Sequence, residues 1–133
     1  NVLQSMKGFA PKRIITVFGC GGDRDKSKRP IMGEIGGRYS DFCIITSDNP
    51  RTEDPEQILD GVENGIQKTK CPYLRILDRR QAIHKALEIA EKEDLVLVAG
   101  KGHEDYQIIG KDKIHFDDAE EIKNYIKENE NVD

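Results

Sequence analysis

Short, largely apolar segments recur along the chain, and they are nearly unbroken rather than alternating with polar residues. Unbroken runs of four or five residues, rich in β-branched side chains, are typical of strands buried on both faces of a parallel sheet. The sequence therefore predicts four such strands, at residues 14–18, 42–46, 74–77 and 95–99.

Helical patterns separate these strands. Proline is favoured in the first turn of a helix, so Pro30 and Pro55 indicate two helix starts. A third helix is predicted over residues 79–92, because the side chain of Asp78 can cap it. Apolar residues recur at helical spacing in the second helix (Ile58, Leu59, Val62 and Ile66) and in the third (Ala82, Ile83, Ala86, Leu87 and Ala90).

The order of elements changes after the fourth strand. Residues 106–109 and 113–116 flank a turn at residues 110–111, which predicts a small antiparallel hairpin. Asp117, with Glu120 three residues later, has the spacing of a capping box and predicts the start of a final helix.

Strands that alternate with helices are joined by right-handed crossovers into a parallel sheet. We therefore expect an α/β fold, with an open, mainly parallel Rossmann-like sheet, helices on both faces and a C-terminal antiparallel hairpin. The 133 residues suit one compact core, so residues 1–133 are expected to form a single domain. Residues 1–9 have the pattern of a further helix, and residues 128–133 are expected to fray. No initiator methionine precedes residue 1, and we expect the chain to be part of a longer protein.

Composition narrows the function classes. The formal net charge of −4 disfavours general nucleic-acid binding. No stretch approaches the roughly 18 apolar residues of a membrane span, and the first residues carry no signal-peptide pattern. We therefore expect a cytoplasmic protein with neither a nucleic acid nor a membrane as partner. The cysteines, Cys20, Cys43 and Cys71, are odd in number and irregular in spacing, which argues against a disulfide framework and a zinc site.

Candidate chemistry lies in three loops that follow predicted strands. Ligands of open parallel sheets bind at the carboxyl ends of the strands, where neighbouring loops meet. The first loop is residues 19–29, the second loop is residues 47–55, and the third loop is residues 100–105. Their common position at one edge of the sheet predicts a binding site.

The first loop is rich in glycine and in basic residues. It does not fit a Walker A motif, because Asp25 stands before Lys26 where a glycine is required. A dinucleotide fingerprint fits only in part, because Arg24 replaces the third glycine. We interpret the loop as one whose cations hold carboxylates or phosphates, or otherwise as a glycine turn with solvated charges. Cys20 has either a lowered pKa in this basic loop or the role of a small residue that fills a tight turn.

The second and third loops suit a small zwitterion. The second offers a carboxylate, an amide and a guanidinium around Pro50, which stiffens the backbone. An ordinary Asx turn is the alternative for this loop, with Arg51 merely paired to a surface carboxylate of Glu53 or Asp54. In the third loop Glu104 follows two glycines and can meet an ammonium group, whereas His103 is interpreted as a hydrogen-bonding support rather than a base.

Three motifs give the chain a family resemblance. They are VFGCGGDRDK at residues 17–26, SDNPR at residues 47–51 and AGKGHEDYQ at residues 99–107. With these motifs the chain resembles the C-terminal domain of the Mur ligases, of the MurE type. The resemblance implies a three-domain enzyme that uses ATP and Mg²⁺ to activate a carboxylate of UDP-N-acetylmuramoyl-L-alanyl-D-glutamate as an acyl phosphate. The amine of an incoming amino acid then attacks that acyl phosphate.

The same resemblance implies a role for this domain, which is to bind the incoming amino acid, meso-diaminopimelate. The residues it assigns to that role are Arg24, Asp48, Asn49, Pro50, Arg51, Gly100 and Glu104. It implies no catalytic residue and no metal ligand in this chain, because ATP and Mg²⁺ are bound mainly by a central domain and the nucleotide by an N-terminal domain. The isolated domain is therefore expected to be inactive. Alternatives are a ligase of the same type that uses L-lysine, a nucleotide-binding Rossmann-like fragment, and a freestanding binding module.

Overall fold

The computed structural model describes residues 11–100, 106–109 and 111–129. Within these ranges strands and helices alternate up to the fourth strand, and a hairpin and a helix follow. In chain order the elements are β1 (Arg13–Phe18), α1 (Lys28–Tyr39), β2 (Phe42–Ile45), α2 (Pro55–Ile66), β3 (Tyr73–Arg75), α3 (Arg79–Ile89), β4 (Asp94–Val98), β5 (Tyr106–Ile109), β6 (Asp112–His115) and α4 (Asp118–Asn129).

The first four strands form one parallel sheet in the order β3-β2-β1-β4. In its register Val17 lies opposite Ile44 on one side and Val98 on the other. Strands β5 and β6 form a separate antiparallel hairpin, with Tyr106 opposite His115. The expected α/β fold, with a mainly parallel sheet and a C-terminal hairpin, is confirmed.

The core lies on both faces of the sheet, as unbroken apolar strands require. Side chains of β1 and β2 point alternately to the two faces, so each strand contributes to both clusters. On one face the buried cluster joins the sheet to α3 and to the start of α4, through Ile15, Val17, Ile44, Ala82, Ile83, Ala86 and Phe116. On the other face it joins the sheet to α2, through Phe18, Cys43, Ile45, Leu59, Val62 and Ile66.

Helices α1 and α2 pack with their backbones in close approach. A Cβ atom added to Gly65 of α2 would lie 1.8 Å from the carbonyl oxygen of Pro30, and one added to Gly33 of α1 would lie 2.1 Å from the carbonyl oxygen of Val62. Both distances are far shorter than van der Waals contact, so no larger side chain fits while the helices keep this separation. Glycine at these positions thus sets the distance between the two helices.

Element boundaries differ from the sequence prediction by a few residues. Helix α1 begins at Lys28, two residues before Pro30, because a proline is tolerated anywhere in the first turn, where its missing N–H is not needed. Helix α3 ends at Ile89 rather than at residue 92. The predicted cap of α3 is confirmed, since the Asp78 carboxylate accepts a hydrogen bond of 3.0 Å from the Gln81 N–H.

The final helix also begins as predicted. The Asp117 carboxylate accepts a hydrogen bond of 3.1 Å from the Glu120 N–H, and α4 starts at Asp118. The helix predicted over residues 1–9 and the end of the acidic tail lie outside the described residues. In the part of the chain that the structure describes, no helix combines the length and apolar character needed to cross a membrane.

We predict that Gly65→Ala destabilises the fold. Its Cβ would overlap the Pro30 carbonyl, so α1 and α2 must separate, and overpacking of this kind typically costs about 1–3 kcal/mol or more. Chemical denaturation of the two variants side by side measures the effect. The matched control is Asn64→Ala, at the exposed neighbouring position of α2, which should be neutral or slightly stabilising because alanine has the higher helix propensity. Equal stability of the two variants would contradict the helix contact.

Candidate functional site

The loops after β1 and β2 meet Gly100, the described start of the third loop, at the carboxyl edge of the parallel sheet, as the sequence predicted. A cleft of 420 Å³ lies there between the first loop and the ends of β2 and β4. Its lining includes Gly19, Arg24 and Lys28 of the first loop, together with Asp48 and Gly100. Three of the predicted site residues, Arg24, Asp48 and Gly100, are therefore brought together.

Gly100 is where β4 leaves the sheet beside the cleft. Its φ of +115° lies in a region that side-chain-bearing residues rarely adopt. A Cβ atom at Gly100 would lie 3.7 Å from the Gly19 carbonyl oxygen and 4.0 Å from the Asp48 carboxylate. This glycine thus sits between the first and second loops, at the point where the third loop begins.

Arg24 and Arg51 converge on Gly21. A Cβ atom at Gly21 would lie 2.9 Å from Nη1 of Arg51 and 3.6 Å from Cγ of Arg24. Arg24 is exposed, and its guanidinium donates one hydrogen bond of 3.3 Å to the carbonyl of Asp23. Among the described residues neither arginine forms an ion pair with a carboxylate.

The conformation of Arg51 is unusual for a residue with a side chain. Its φ is 54°, in the left-handed region, and its backbone N–H donates to the Ile108 carbonyl at 3.0 Å. Its Nη1 donates to the carbonyls of Gly22 at 3.0 Å and Asn49 at 3.3 Å. Backbone oxygens thus hold the guanidinium in place without neutralising its charge.

The alternative in which Arg51 pairs with a neighbouring surface carboxylate is wrong. The carboxylate of Glu53 binds Arg29, and that of Asp54 caps α2 by accepting from the Glu56 N–H at 3.0 Å. Both carboxylates are therefore engaged elsewhere.

Asn49 and Pro50 are buried behind the cleft. Asn49 is 2% exposed, and its side-chain oxygen accepts a hydrogen bond of 2.7 Å from the Ile108 N–H of β5. Its carbonyl accepts another of 2.7 Å from the Gly22 N–H. These contacts attach the second loop to the hairpin and to the first loop, and a direct role for either residue in ligand binding stays a prediction. Glu104 and His103 lie outside the described residues.

A buried ion pair that the sequence analysis did not anticipate joins the first two loops. Arg29, in the first turn of α1, donates to both oxygens of the Glu53 carboxylate at 2.6 and 2.7 Å, and to the Gly21 carbonyl at 3.2 Å. The two side chains are 3% and 9% exposed. The guanidinium lowers the pKa of Glu53 to about 2, with a smaller contribution from the Asp23 N–H.

A second buried arginine, also unanticipated, supports the edge of the sheet from α3. Arg79 donates to the carbonyl of Ser47 at 3.1 Å and to that of Ala99 at 3.3 Å, where the second and third loops begin. Asp118, at the start of α4, binds the same guanidinium at 2.7 and 2.8 Å. The strand ends beside the cleft are thereby fixed to one another.

The first loop does not act as a typical phosphate-binding loop. Phosphate loops present free backbone N–H groups to the anion. Here the Gly22 N–H donates to Asn49, and the Asp23 N–H donates to the Glu53 carboxylate at 3.0 Å. A Cβ at Gly22 would lie 1.8 Å from the Pro50 carbonyl oxygen, so this glycine serves contact between loops rather than approach of a nucleotide.

Cys20 faces the cleft as a protonated thiol. Burial raises its pKa to about 11, and the nearby Arg29 only partly offsets this effect. The alternative of a lowered pKa at Cys20 is therefore wrong. Within the described ranges, no three His, Cys, Asp or Glu side chains are grouped so as to hold a metal ion.

Comparison with known proteins agrees with this fold. A family model described as "Mur ligase, glutamate ligase domain" matches residues 1–102. A solved structure titled as a UDP-N-acetylmuramoyl-L-alanyl-D-glutamate--2,6-diaminopimelate ligase superposes with a TM-score of 0.93 at 43% identity, covering 98% of this chain and 27% of that chain. These matches define the class as an α/β domain of a ligase, and the chain belongs to the Mur ligase family.

Curated relatives carry the same name as the solved structure. One from Caldanaerobacter subterraneus subsp. tengcongensis is 55% identical over 130 residues, which are 98% of this chain and 27% of that protein. One from Clostridioides difficile is 60% identical over 120 residues, 90% of this chain and 25% of that protein. The chain thus spans about a quarter of the length of these relatives.

We predict that the stabilisation contributed by Glu53 disappears in acid. The folded-state pKa of about 2 lies below the ordinary value of 4.5, so the unfolded chain binds the proton more readily. The contribution is fully present above the ordinary pKa and is lost as the pH falls from about 4.5 to about 2. The difference in unfolding free energy between the parent and Glu53→Gln should shrink across that interval.

The control for this titration is Glu88→Gln. It removes the same charge from an exposed pair with Lys85, in which the Glu88 side chain is 64% exposed. Such pairs contribute little, so its difference from the parent should be small throughout. A Glu53→Gln difference that stayed constant down to about pH 2.5 would contradict the ion pair.

Proposed function

We propose that this chain is the amino-acid-binding domain of a ligase that joins 2,6-diaminopimelate to UDP-N-acetylmuramoyl-L-alanyl-D-glutamate. The names of its relatives at 55% and 60% identity support this assignment, as does that of the solved structure. The whole reaction belongs to a protein of about four times this length, in which this domain presents the amino acid. The expected cytoplasmic location is part of the proposal.

The observation that carries the proposal is the pair of arginines beside Gly21. The Arg51 guanidinium and Cγ of Arg24 approach the same glycine, and neither arginine meets a carboxylate in the described residues. A planar guanidinium binds a carboxylate through two parallel hydrogen bonds, which favours arginine over lysine for this purpose. Two such groups suit an amino acid with two carboxylates.

Diaminopimelate differs from lysine at its far end. Lysine ends in an ammonium group, whereas diaminopimelate carries a carboxylate and an amine there. We propose that Arg51 binds the far carboxylate, and that Glu104 with the Gly100 carbonyl accepts from the ammonium. Asp48 at the cleft is a further acceptor. Asn49 and Pro50 would complete the site by holding Arg51, through the contacts of the second loop with β5 and Gly22.

In the proposed reaction this domain positions the amine rather than activating it. ATP and Mg²⁺ would supply an acyl phosphate on the nucleotide-linked peptide, and we assign neither to residues of this chain. Holding the amine at the acyl phosphate replaces an encounter in solution, which can contribute roughly 7–11 kcal/mol in well-oriented reactions. The nucleotide-linked peptide and ATP are proposed to bind mainly to the other domains.

A nucleotide-binding Rossmann-like fragment is the weaker alternative. It requires free N–H groups in the glycine-rich loop, and those of Gly22 and Asp23 are engaged by the second loop. Titration of the chain with NAD and with diaminopimelate would distinguish the two functions.

We predict that Arg51→Ala removes selectivity between diaminopimelate and lysine in the full-length ligase. With lysine bound, Arg51 would lack its anionic partner, and discrimination of about a thousandfold is expected of the parent. In the variant, the ratio of the kcat/KM values for diaminopimelate and for lysine should fall most of the way to one. Alanine takes up the left-handed φ no more easily than arginine does, so the backbone cost is matched.

The control is Arg38→Ala, which removes a surface arginine that pairs with Glu34 on α1 and is 65% exposed. Its selectivity should equal that of the parent. Equal use of lysine and diaminopimelate by the parent, or unaltered selectivity in Arg51→Ala, would contradict the assignment.

We predict that Arg24→Lys weakens amino-acid use and leaves the domain folded. Lysine keeps the positive charge but cannot form two parallel hydrogen bonds to a carboxylate. Because Arg24 is exposed and makes one long hydrogen bond, the melting temperature should change little. Steady-state kinetics of the full-length enzyme should show a raised KM for the amino acid. Unchanged KM and kcat would exclude Arg24 from the site.

A further inference from the structure

We propose that the buried Arg29–Glu53 ion pair is a positioning device, which holds Arg24 and Arg51 in the orientation that receives the amino acid's carboxylates. This inference rests on the proposed function. It concerns residues that do not themselves touch the ligand and whose roles the family resemblance does not assign.

The first reason is backbone strain on both sides of the pair. Asp23, which precedes Arg24, has a φ of 53°, and Arg51 itself has a φ of 54°. Side-chain-bearing residues rarely adopt this left-handed conformation, and they keep it only where surrounding contacts impose it. The orientation of both arginines therefore depends on contacts that hold these two segments.

The ion pair supplies those contacts at the centre of the interface between the loops. The Glu53 carboxylate binds Arg29 and also accepts the Asp23 N–H at 3.0 Å, while Arg29 reaches the Gly21 carbonyl. The Asp23 carboxylate in turn accepts from the N–H and the hydroxyl of Thr52, at 3.2 and 2.8 Å. Residues 21–23 and 50–53 are thus held together on either side of the strained positions.

The second reason is competition for Arg51. Glu53 lies only two residues beyond Arg51, so a free carboxylate there would be an internal anion able to neutralise the Arg51 guanidinium. By binding both Glu53 oxygens, Arg29 keeps that carboxylate away from Arg51. With a pKa of about 2, Glu53 stays ionised and bound to Arg29 at neutral pH. The guanidinium of Arg51 is consequently left for a ligand.

A second ion pair offers a matched comparison at the opposite end of the sheet. Arg13 begins β1 and donates to the Asp94 carboxylate, at the start of β4, at 2.7 and 3.1 Å. The Asp94 side chain is fully buried, and Arg13 also bonds the Ile89 carbonyl. This pair resembles Arg29–Glu53 in chemistry and in its buried carboxylate, although the Arg13 side chain is 35% exposed, and it lies away from the cleft.

The test compares Glu53→Gln with Asp94→Asn in the full-length ligase. Glu53→Gln should raise the KM for diaminopimelate by roughly 10- to 100-fold, because misplacement by about 1 Å has effects of that size. The KM values for ATP and for the nucleotide-linked peptide should stay within about twofold, since the change is confined to amino-acid binding. Asp94→Asn should lower stability without changing any KM.

An amino-acid KM that is unchanged in folded Glu53→Gln, or that rises equally in Asp94→Asn, would overturn the inference. Should Glu53→Gln not fold, Arg29→Lys keeps the charge, loses the two parallel bonds, and is expected to raise the same KM. A parent enzyme that uses neither diaminopimelate nor lysine would instead refute the proposed function.

Hydrogen exchange on the 133-residue chain tests the positioning inference independently of that function. The amide of Gly22 donates to Asn49, and that of Arg51 donates to Ile108. In Glu53→Gln both amides should exchange at least about tenfold faster than in the parent. The amides of Lys12 and Asp41, at the opposite edge of the sheet, should stay protected. Asp94→Asn should show the reverse pattern. Unchanged exchange at Gly22 and Arg51 would overturn the inference.

Discussion

A fully buried guanidinium fixes the edge of the sheet on which the candidate site is built. Parallel strands leave backbone carbonyls at their carboxyl ends, and buried carbonyls require donors. Arg79 supplies them for Ser47 and Ala99, and Asp118 neutralises its charge. Loss of one partner of such a buried pair typically costs about 3–5 kcal/mol, so the ends of β2 and β4 and the start of α4 are held as one unit. The second loop and Gly100, at the start of the third loop, extend from this fixed base.

The first two loops are hydrogen-bonded to each other, so the backbone groups that join them do not face the solvent. The amides of Gly22 and Asp23, which a phosphate loop would offer to a ligand, are bonded to Asn49 and Glu53. The glycines of this segment therefore permit close contact between loops. The amides of Gly22 and Asp23 are consequently not available to a ligand.

The fold class was predictable because its signals are local. The strands of the parallel sheet are largely apolar runs, and Asp78 and Asp117 cap their helices within three residues of the amides they bind. The ion pairs were not predictable, because Arg29 and Glu53 lie 24 residues apart and Arg79 and Asp118 lie 39 residues apart. No local signal distinguishes these arginines from solvated ones. The left-handed conformation of Asp23 and Arg51 was equally hidden, since neither position is a glycine. The common edge of Arg24, Asp48 and Gly100 was predictable, because each follows a strand and the carboxyl ends of parallel strands lie at one edge of the sheet.

The arginines near this edge differ in how their charge is balanced. This difference distinguishes the arginines that support the fold from those proposed to bind the ligand. Arg29 and Arg79 are buried and bound by carboxylates, as burial of a charge requires. Arg24 and Arg51 are more exposed and meet only backbone carbonyls within the described residues. A ligand that displaced water from these two guanidinium groups would have to supply carboxylates in its place. Carboxylates thus hold the first two arginines rigidly in place, whereas under the proposed function the charges of the other two would attract the carboxylates of the amino acid.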